Sequence, residues 1–561
     1  MGGVLWRRLA VATLAAGFVL FWRLGDVSLM DDEAHYARLT LDMAAHPGVE
    51  RWLVPRLGTD PFIDKPPLFH WVQGVTRALV DDPETGARLP SAAAAVGLMA
   101  FVSMLGGRLI GAGGWQVWAL LLTLPATLLL GRTGYLDMVF TAALFGAVGI
   151  LTMSAAGGGR RYELLAGTLL GVAVLTKGPV AVGLVAGWMV LVFLTGGQSR
   201  TALRSLRWGR VAMATVVVGG PWFLWMTWRF GEFFVTEYLG AGHVWYFTPR
   251  SSASSSDSAF YLKMFVSAFF PWSLIAIGAG VDAARAWRRG EVMPLWQRWM
   301  WLWIVMVLAA FTVVPFRVDR YIYPAAPACC LLALSGWRLA ESRADWRQSA
   351  WTLGAALSTA VVCLAGAFGL WEAWPRLGLG LPEAARAVPV LLGLGGIGLL
   401  AVLGLRRAQL PVVTAFPIAI LAVAYVVAIE FGSPALQAAR PVETISKQAT
   451  PQADAAPTVG VLGLDRWEMG LRYYLASPPQ RLRDGREAQR FLRGEGPRVL
   501  ITRREWSDVL AIPECRTVET FAVPAVVGTR GRGFRSQVWA EIVVLKFGDT
   551  VGSPTASPPC G

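Results

Sequence analysis

The residues best suited to chemistry in this sequence lie in one polar segment between two apolar stretches. The segment opens with Asp31-Asp32-Glu33 and continues to Asp64-Lys65. Ionisable side chains beside long apolar stretches are costly, so they mark a candidate functional site. Carboxylates such as Asp32 and Glu33 can serve as a general base, and Lys65 can neutralise an anion. Three acids also suit the first turn of a helix, so a capping role for part of this run stays open.

Further charged residues recur at the ends of later apolar stretches. They are Arg132 and Asp137, Lys177, the run from Glu237 to His243, and the run from Arg317 to Tyr321. Each one alone suits a solvated loop charge or a structural ion pair. Because they recur on one side of the apolar stretches, helix packing can bring them around one cavity. Acids beside cations on one membrane face suit an anionic, lipid-linked substrate.

The composition indicates that these charges belong to a polytopic membrane protein. Of 561 residues, 55% are hydrophobic and only 16% are charged, whereas soluble domains carry roughly 25% charged residues. This balance excludes a disordered, collagen-like or disulfide-scaffold chain. The net charge of +14 comes from 51 Lys and Arg against 37 Asp and Glu. In a membrane protein the positions of these basic residues along the chain predict its orientation in the bilayer.

A ruler of about 20 apolar residues predicts a mainly helical protein with thirteen candidate spans. They lie at roughly 4–22, 88–107, 110–130, 136–155, 162–178, 180–196, 211–229, 259–281, 296–315, 321–337, 350–371, 387–405 and 411–430. The first is predicted to be a retained span, since no small-residue cleavage site follows it.

Arginines concentrate in the even-numbered connections between these spans. Lys and Arg accumulate in cytoplasmic loops, so the N-terminus is predicted to be cytoplasmic. The first loop (about 23–87), the loop at roughly 230–258 and the C-terminal tail then lie outside the cytoplasm.

The composition changes near residue 432, which divides the chain into a membrane domain (1–431) and a smaller polar domain (432–561). Short apolar runs at 458–463, 498–501 and 538–545 predict strands, and 466–475 and 486–492 predict helices, so the tail is predicted to be a small α/β domain. Cys515 and Cys560 lie in this tail and could pair in an oxidising compartment.

Several other chemistries lack their sequence signatures. The sequence contains no G-x-x-x-x-G-K-[ST], H-E-x-x-H, paired C-x-x-C or D-x-D motif, and it has only four histidines. These absences argue against an energised pump and against a metal-dependent soluble nucleotide-sugar transferase.

Six motifs, in this order, resemble the glycosyltransferase-39-like (GT-C) membrane family. They are Asp32-Glu33-Ala34-x-Tyr36-Ala37, Trp52-Leu53-Val54-Pro55, Lys65-Pro66-Pro67-Leu68-x-x-Trp71, Arg132-Thr133-x-x-x-Asp137, Leu175-Thr176-Lys177-Gly178-Pro179 and Tyr321-Ile322-x-Pro324. Within this family the sequence looks most like the lipid A 4-amino-4-deoxy-L-arabinose transferases of glycosyltransferase family 83. The resemblance implies a GT-C fold with juxtamembrane helices in the first loop and a polyprenyl-phosphate sugar as donor.

The resemblance also implies roles for individual residues. Asp32 matches the catalytic acid, Asp137 a second acid near the sugar, and Lys65 and Tyr321 the groups that hold the donor phosphate. Arg317 stands where the family usually has a lysine.

Three positions depart from the family pattern. His35 replaces a common arginine, Asp64 a glutamate, and Phe62 a tyrosine. In the family that glutamate can join a histidine in binding zinc, which makes Asp64 and His243 a metal pair to test.

The sequence therefore predicts an inner-membrane glycosyltransferase that moves a sugar to a periplasm-facing acceptor, lipid A or another envelope glycolipid. Lys65 and Arg317, joined by His35, Arg132 or Lys177, would stabilise the departing phosphate, while Asp32, with Glu33 beside it, would orient the acceptor. A protein O-mannosyltransferase-like enzyme, a transporter or flippase of lipid-linked sugars, and an envelope scaffold remain as alternatives. No cofactor other than zinc is implied, and no nucleic-acid partner is expected.

Overall fold

A computed structural model describes most of the chain. The described residues are 14, 16–111, 115–158, 162–241, 257–342, 350–377, 386–404, 423–434, 436–437, 441–450, 457–464, 467–475, 477–494, 496–506, 516–524 and 539–547. Both Cys515 and Cys560, and also His243, lie outside these residues. Their predicted pairings therefore stay predictions.

The structure is mainly helical. After a short helical segment at 16–21, the α-helices are α1 (Asp31–Ala45), α2 (Glu50–Leu53), α3 (Leu68–Leu79), α4 (Pro83–Leu109), α5 (Trp115–Leu122), α6 (Pro125–Gly131), α7 (Leu136–Met153), α8 (Glu163–Lys177), α9 (Val180–Leu194), α10 (Gly197–Ser205), α11 (Trp208–Phe230), α12 (Glu232–Val235), α13 (Phe260–Ala268), α14 (Trp272–Arg288), α15 (Leu295–Val313), α16 (Ala326–Glu341), α17 (Ala350–Leu377), α18 (Ala387–Gly404), α19 (Val423–Pro434), α20 (Val442–Ala449), α21 (Glu468–Tyr474) and α22 (Gly485–Leu492). Residues Ser154–Gly158 and Thr236–Ala241 form π-helical turns, and Asp319–Ala325 form a 3-10 helix.

Apolar helices long enough to cross a bilayer account for much of this structure. Five of them qualify by length and hydropathy within the described residues, and a sixth span is available if α13 and α14, bent by 108°, count as one. Three shorter apolar helices, α9, α18 and α19, add to them. The prediction of a polytopic membrane protein is therefore confirmed, with five or six long spans found among the described residues.

One predicted span is broken in the structure. The stretch at 110–130 forms two short helices, α5 and α6, with Leu124 in an extended conformation between them. The reason is Pro125, which follows Leu124: its ring excludes the preceding residue from the helical region, and it has no N–H to donate. Hydropathy alone does not register this break, because every residue around it is apolar or small.

The central helices approach closely through small residues. Gly167 and Gly171 lie one turn apart on α8 and face α11. A Cβ atom added to Gly171 would lie 2.7 Å from Cβ of Val218, and one added to Gly167 would collide with the Val211 carbonyl. Small residues at this spacing let two membrane helices pack backbone to backbone.

A tryptophan on α15 and a hydroxyl pair fix the 3-10 helix that follows α15. Trp303 is fully buried and donates its indole N–H to the Pro324 carbonyl at 2.8 Å. Tyr323 pairs its hydroxyl with that of Thr127 on α6 at 2.7 Å. The 3-10 helix is thereby anchored on two sides, which holds the backbone of Arg320 and Tyr321 in place.

The first-loop helices are tied together by a buried polar chain. Nδ1 of His70 on α3 lies 2.9 Å from Oγ1 of Thr40 on α1, and that hydroxyl donates to Gln73 at 2.6 Å. The Gln73 amide then donates to the Ala87 carbonyl on α4 at 3.0 Å. Burial lowers the pKa of His70 to about 3, so the ring is neutral in this chain.

The C-terminal part carries a five-stranded sheet. Its strands are β3 (Thr458–Leu462), β4 (Gln480–Leu482), β5 (Arg498–Arg503), β6 (Arg516–Pro524) and β7 (Trp539–Phe547), in the order β4-β3-β5-β7-β6. Strands β1 (Arg56–Leu57) and β2 (Asp60–Pro61) form a hairpin in the first loop. β3 runs parallel to β4 and β5, and β7 is antiparallel to β5 and β6. Three of these strands coincide with the apolar runs seen in the sequence, and β4 and β6 were not predicted.

Helix α21 connects this sheet region to the first loop. The hydroxyl of Tyr474 accepts from the Leu29 N–H at 2.8 Å and donates to the Glu84 carboxylate at 2.6 Å. Arg38 on α1 donates to the carbonyls of Arg472 and Leu475 at 3.2 and 3.4 Å. The C-terminal part therefore helps to position α1, which carries Asp32.

Candidate active site

Four element ends meet around the candidate site. Asp32 is the second residue of α1, Asp137 the second residue of α7, and Lys177 the last residue of α8. Acids at helix N-termini and a cation at a C-terminus complement the helix dipoles. Arg320 and Tyr321 enter from the 3-10 helix. Residues that are far apart in the sequence therefore share one location.

Asp137 and Arg320 are the centre of a charge network. Asp137 is 4% exposed and pairs through Oδ1 with Nζ of Lys177. Its Oδ2 accepts from Nε of Arg320 at 3.1 Å, and Nη2 of the same guanidinium pairs with Asp32. One arginine thus bridges Asp32 and Asp137, two of the three acids that the sequence predicts to be catalytic.

Two aromatic rings complete this network. Nζ of Lys177 lies 4.1 Å from the centroid of the Tyr321 ring, and the guanidinium of Arg320 lies 4.8 Å from that of Tyr135. Such contacts favour the cationic forms of both side chains. Burial opposes the charge on Arg320, but Asp137 and Asp32 outweigh it, so the pKa of Arg320 is raised.

A second group of predicted residues surrounds Lys65. Nζ of Lys65 pairs with Asp64 at 2.7 Å, and the His35 ring meets that of Phe62 edge to face at 4.8 Å. Burial lowers the pKa of His35, although the carboxylates of Asp32 and Asp64 oppose this effect. Nδ1 of His35 is buried, and no described residue hydrogen-bonds to it. His35 is therefore a neutral ring here, unlike the arginine that the family pattern has at this position.

Glu33 lies outside the network that contains its neighbour Asp32. Its carboxylate forms a two-point ion pair with Arg88 of α4 at 2.8 and 3.0 Å, and it accepts from the Gly134 N–H at 3.0 Å. Glu33 is 5% exposed. Through these contacts Glu33 joins α1 to α4 and to the turn before α7. Glu33 therefore holds α1, and with it Asp32, in position and does not face the charge network itself. Asp31 begins the helix with φ = +50°, a left-handed conformation that Asp tolerates better than most residues.

Arg132 and Arg317 are engaged by backbone carbonyls. Arg132 donates to Val19 and Leu20 at 2.8 and 3.1 Å, at the end of the helical segment at 16–21. Arg317 donates to the carbonyls of Phe311 and Val314 at the end of α15. Both guanidinium groups satisfy the last carbonyls of a helix. The structure does not bring either one to the carboxylates of Asp32 and Asp137.

Arg320 is the residue that sequence reasoning missed. It lies in the charged run from Arg317 to Tyr321 but just before the motif that begins at Tyr321, and the family resemblance implies no role for it. The sequence did contain a signal: two acids predicted to share a buried site need cations as partners, and Arg320 stands directly beside Tyr321, which was predicted to belong to that site.

The metal pair stays untested. Asp64 is described and paired with Lys65, while His243 is outside the described residues. Within the described part of the chain, no three His, Cys, Asp or Glu residues are grouped so that they could hold a metal ion.

Comparisons with known proteins bear on the fold of the chain. Residues 64–225 match the family described as dolichyl-phosphate-mannose-protein mannosyltransferase. A crystal structure of ArnT from Cupriavidus metallidurans bound to undecaprenyl phosphate superposes with a TM-score of 0.71, covering 97% of this chain and 99% of that one at 20% identity. The chain has the ArnT fold.

Curated relatives confirm the resemblance that the motifs indicated. The undecaprenyl phosphate-alpha-4-amino-4-deoxy-L-arabinose arabinosyl transferase of Edwardsiella ictaluri is 27% identical over 340 residues, and that of Shewanella sediminis is 25% identical over 332. The matches cover 57% and 56% of this chain. This chain spans a little over half the length of these two relatives, 58% and 56% respectively.

Proposed function

We propose that this protein is a glycosyltransferase of the bacterial inner membrane that moves a sugar from an undecaprenyl-phosphate donor to lipid A or another envelope glycolipid. The observation that carries the proposal is the cluster in which Lys177 and Arg320 neutralise Asp137 and Asp32 beside the Lys65 pair. Cations are needed to bind the donor phosphate, and an exposed carboxylate is needed to contact the acceptor. The side chain of Asp32 is 47% exposed, whereas that of Asp137 is 6% exposed.

The reaction we propose is direct displacement at the anomeric carbon with inversion. The bond from this carbon to the phosphate oxygen breaks, and its electron pair stays on the phosphate, where Lys65 and the Lys177 and Arg320 cations stabilise it. Asp32 accepts the proton of a hydroxyl acceptor, or orients an acceptor phosphate that is already ionised. Asp137, with both oxygens engaged, positions the two cations, and Tyr321 holds Lys177 toward the donor.

The arrangement in the membrane belongs to this proposal. We place thirteen spans in the membrane domain (1–431), the N-terminus in the cytoplasm, and the first loop and the α/β domain (432–561) in the periplasm. The arginine-rich even-numbered connections support this orientation. The substrate-binding roles of His35, Arg132 and Arg317 and the metal-binding role of Asp64 and His243 stay predictions.

The proposal is tested with purified wild-type protein, radiolabelled undecaprenyl-phosphate sugars and extracted cell lipid. Wild-type protein is expected to move the label into lipid A or another glycolipid. Asp32→Asn is expected to lower the rate at least about a hundredfold, the usual contribution of a general base. Asp60→Asn, which changes an exposed carboxylate of the same loop, is the matched control and should keep the wild-type rate.

Three results would contradict this assignment. A fully active Asp32→Asn variant removes Asp32 from the mechanism. Label found on Ser or Thr of proteins identifies a protein O-mannosyltransferase, the activity named in the description of the matching family. Donor that crosses the bilayer without transfer identifies a transporter.

A further inference from the structure

Every described cation of the candidate site already has a carboxylate partner. Lys65 pairs with Asp64, Lys177 with Asp137, and Arg320 with both Asp137 and Asp32. An arriving phosphate therefore competes with an acid for its cation. Building on the proposed function, we propose that Arg320 is this cation: its Nη2 leaves Asp32 for the donor phosphate, while its Nε stays on Asp137, and Asp32 is released for the acceptor.

Exposure selects the Arg320–Asp32 contact as the one that breaks. In this pair the side chains are 21% and 47% exposed, whereas those of Lys177 and Asp137 are 11% and 6% exposed. Water compensates an exposed carboxylate that loses its partner, so opening that pair costs little. Opening a buried pair strands an uncompensated charge and costs much more. The Lys177–Asp137 pair therefore stays closed as the fixed part of the site.

The shape of the guanidinium suits a change of partner on one edge only. Its N–H groups point in fixed directions, so Nε can hold Asp137 while Nη2 exchanges an acid for a phosphate. Trp303 and Tyr323 anchor the 3-10 helix that carries Arg320. The exchange therefore takes place by movement of the Arg320 side chain while the backbone stays in place. A lysine has one ammonium group on a flexible stem and cannot hold two partners in this geometry.

This exchange couples donor binding to the state of Asp32. When the bond from the anomeric carbon to the phosphate breaks, the charge that develops on the phosphate lies beside Arg320. Asp32 then takes the proton of a hydroxyl acceptor, or it takes no proton from an ionised phosphate acceptor. Asp32 becomes available only after the donor has bound, so the donor is expected to bind before the acceptor.

The test is a double-mutant cycle on the binding of undecaprenyl phosphate to purified full-length protein, without turnover. The four proteins are wild type, D32N, R320Q and D32N/R320Q. In the presence of Arg320, D32N frees the guanidinium and is expected to tighten binding about tenfold, in line with the strength of a charge-assisted hydrogen bond. In the R320Q background, D32N removes only the repulsion by Asp32, and a change of less than about threefold is expected.

Two further variants separate an exchange of partners from a general effect of charge. R320K keeps the charge but loses the two-edged geometry, so D32N combined with R320K is expected to follow the R320Q result. R229Q removes an arginine whose side chain is 48% exposed and which pairs with Glu50, and it should leave binding unchanged. Steady-state kinetics with both substrates should show the donor binding first in the wild type.

Equal fold-changes for D32N in the two backgrounds would overturn the inference. If R320Q does not fold, D32N that binds no more tightly than wild type overturns it just as well. Sugar transfer by wild-type protein, measured in parallel, keeps the two proposals apart: transfer without the Arg320 coupling refutes only the exchange. Protein that neither binds undecaprenyl phosphate nor transfers sugar refutes both.

Discussion

Replacing Glu33 with Gln should destabilise the first loop without touching the reacting groups. Glu33 and Arg88 have side chains that are 6% and 5% exposed, and two hydrogen bonds join them. The variant leaves the Arg88 charge buried without a counter-charge. Breaking a buried pair in this way costs about 3 kcal/mol or more. The carbonyl of Leu24, which accepts from Arg88 at 2.9 Å, compensates only a fraction of that charge.

Amide hydrogen exchange over α1 measures this loss directly, because it reports the opening of one segment in a large membrane protein. A loss of about 3 kcal/mol corresponds to roughly a hundredfold faster exchange. Glu443→Gln removes one partner of a more exposed i,i+4 pair with Lys447 and should change exchange by about twofold at most.

A double variant checks the cause. Glu33→Leu combined with Arg88→Met replaces both charges with apolar groups and should recover most of the protection, since no charge is left unpaired. Exchange in Glu33→Gln within about twofold of wild type would refute the view that this pair holds α1 in place.

Two more predictions follow from buried polar groups of the first loop. Burial lowers the pKa of His70 to about 3, so below pH 6.5 the folded chain binds fewer protons than the unfolded chain. The free energy of unfolding should therefore be about 2 kcal/mol lower at pH 5 than above pH 6.5. His70→Asn should reduce this dependence in denaturation measurements made over a series of pH values. Tyr474→Phe removes the hydroxyl between the buried Leu29 N–H and Glu84 and should cost about 1–3 kcal/mol, whereas Tyr473→Phe, whose partner Arg77 can turn to water, should cost less; equal costs would contradict this assignment.

The sequence by itself determined the class of the protein, and it singled out four residues that the structure brings together. Hydropathy over about 20 residues is a local property, so the five or six long apolar spans within the described residues could be predicted from it. The break at Pro125 was missed because the surrounding composition is uniform. Asp32, Asp137 and Lys177 were selected because charges at the ends of apolar stretches need a reason to be there, and Tyr321 was selected through the family resemblance.

Only the tertiary structure decided which of the charged residues are partners. Arg320 and Asp32 are 288 positions apart, and Glu33 and Arg88 are 55 apart. An ion pair depends on a separation of a few ångströms, which a sequence pattern does not encode. Packing decides which direction each side chain faces, so the neighbouring acids Asp32 and Glu33 have different partners: Asp32 joins the charge network, and Glu33 anchors α1. For the same reason Arg132 and Arg317 bind the carbonyl ends of helices.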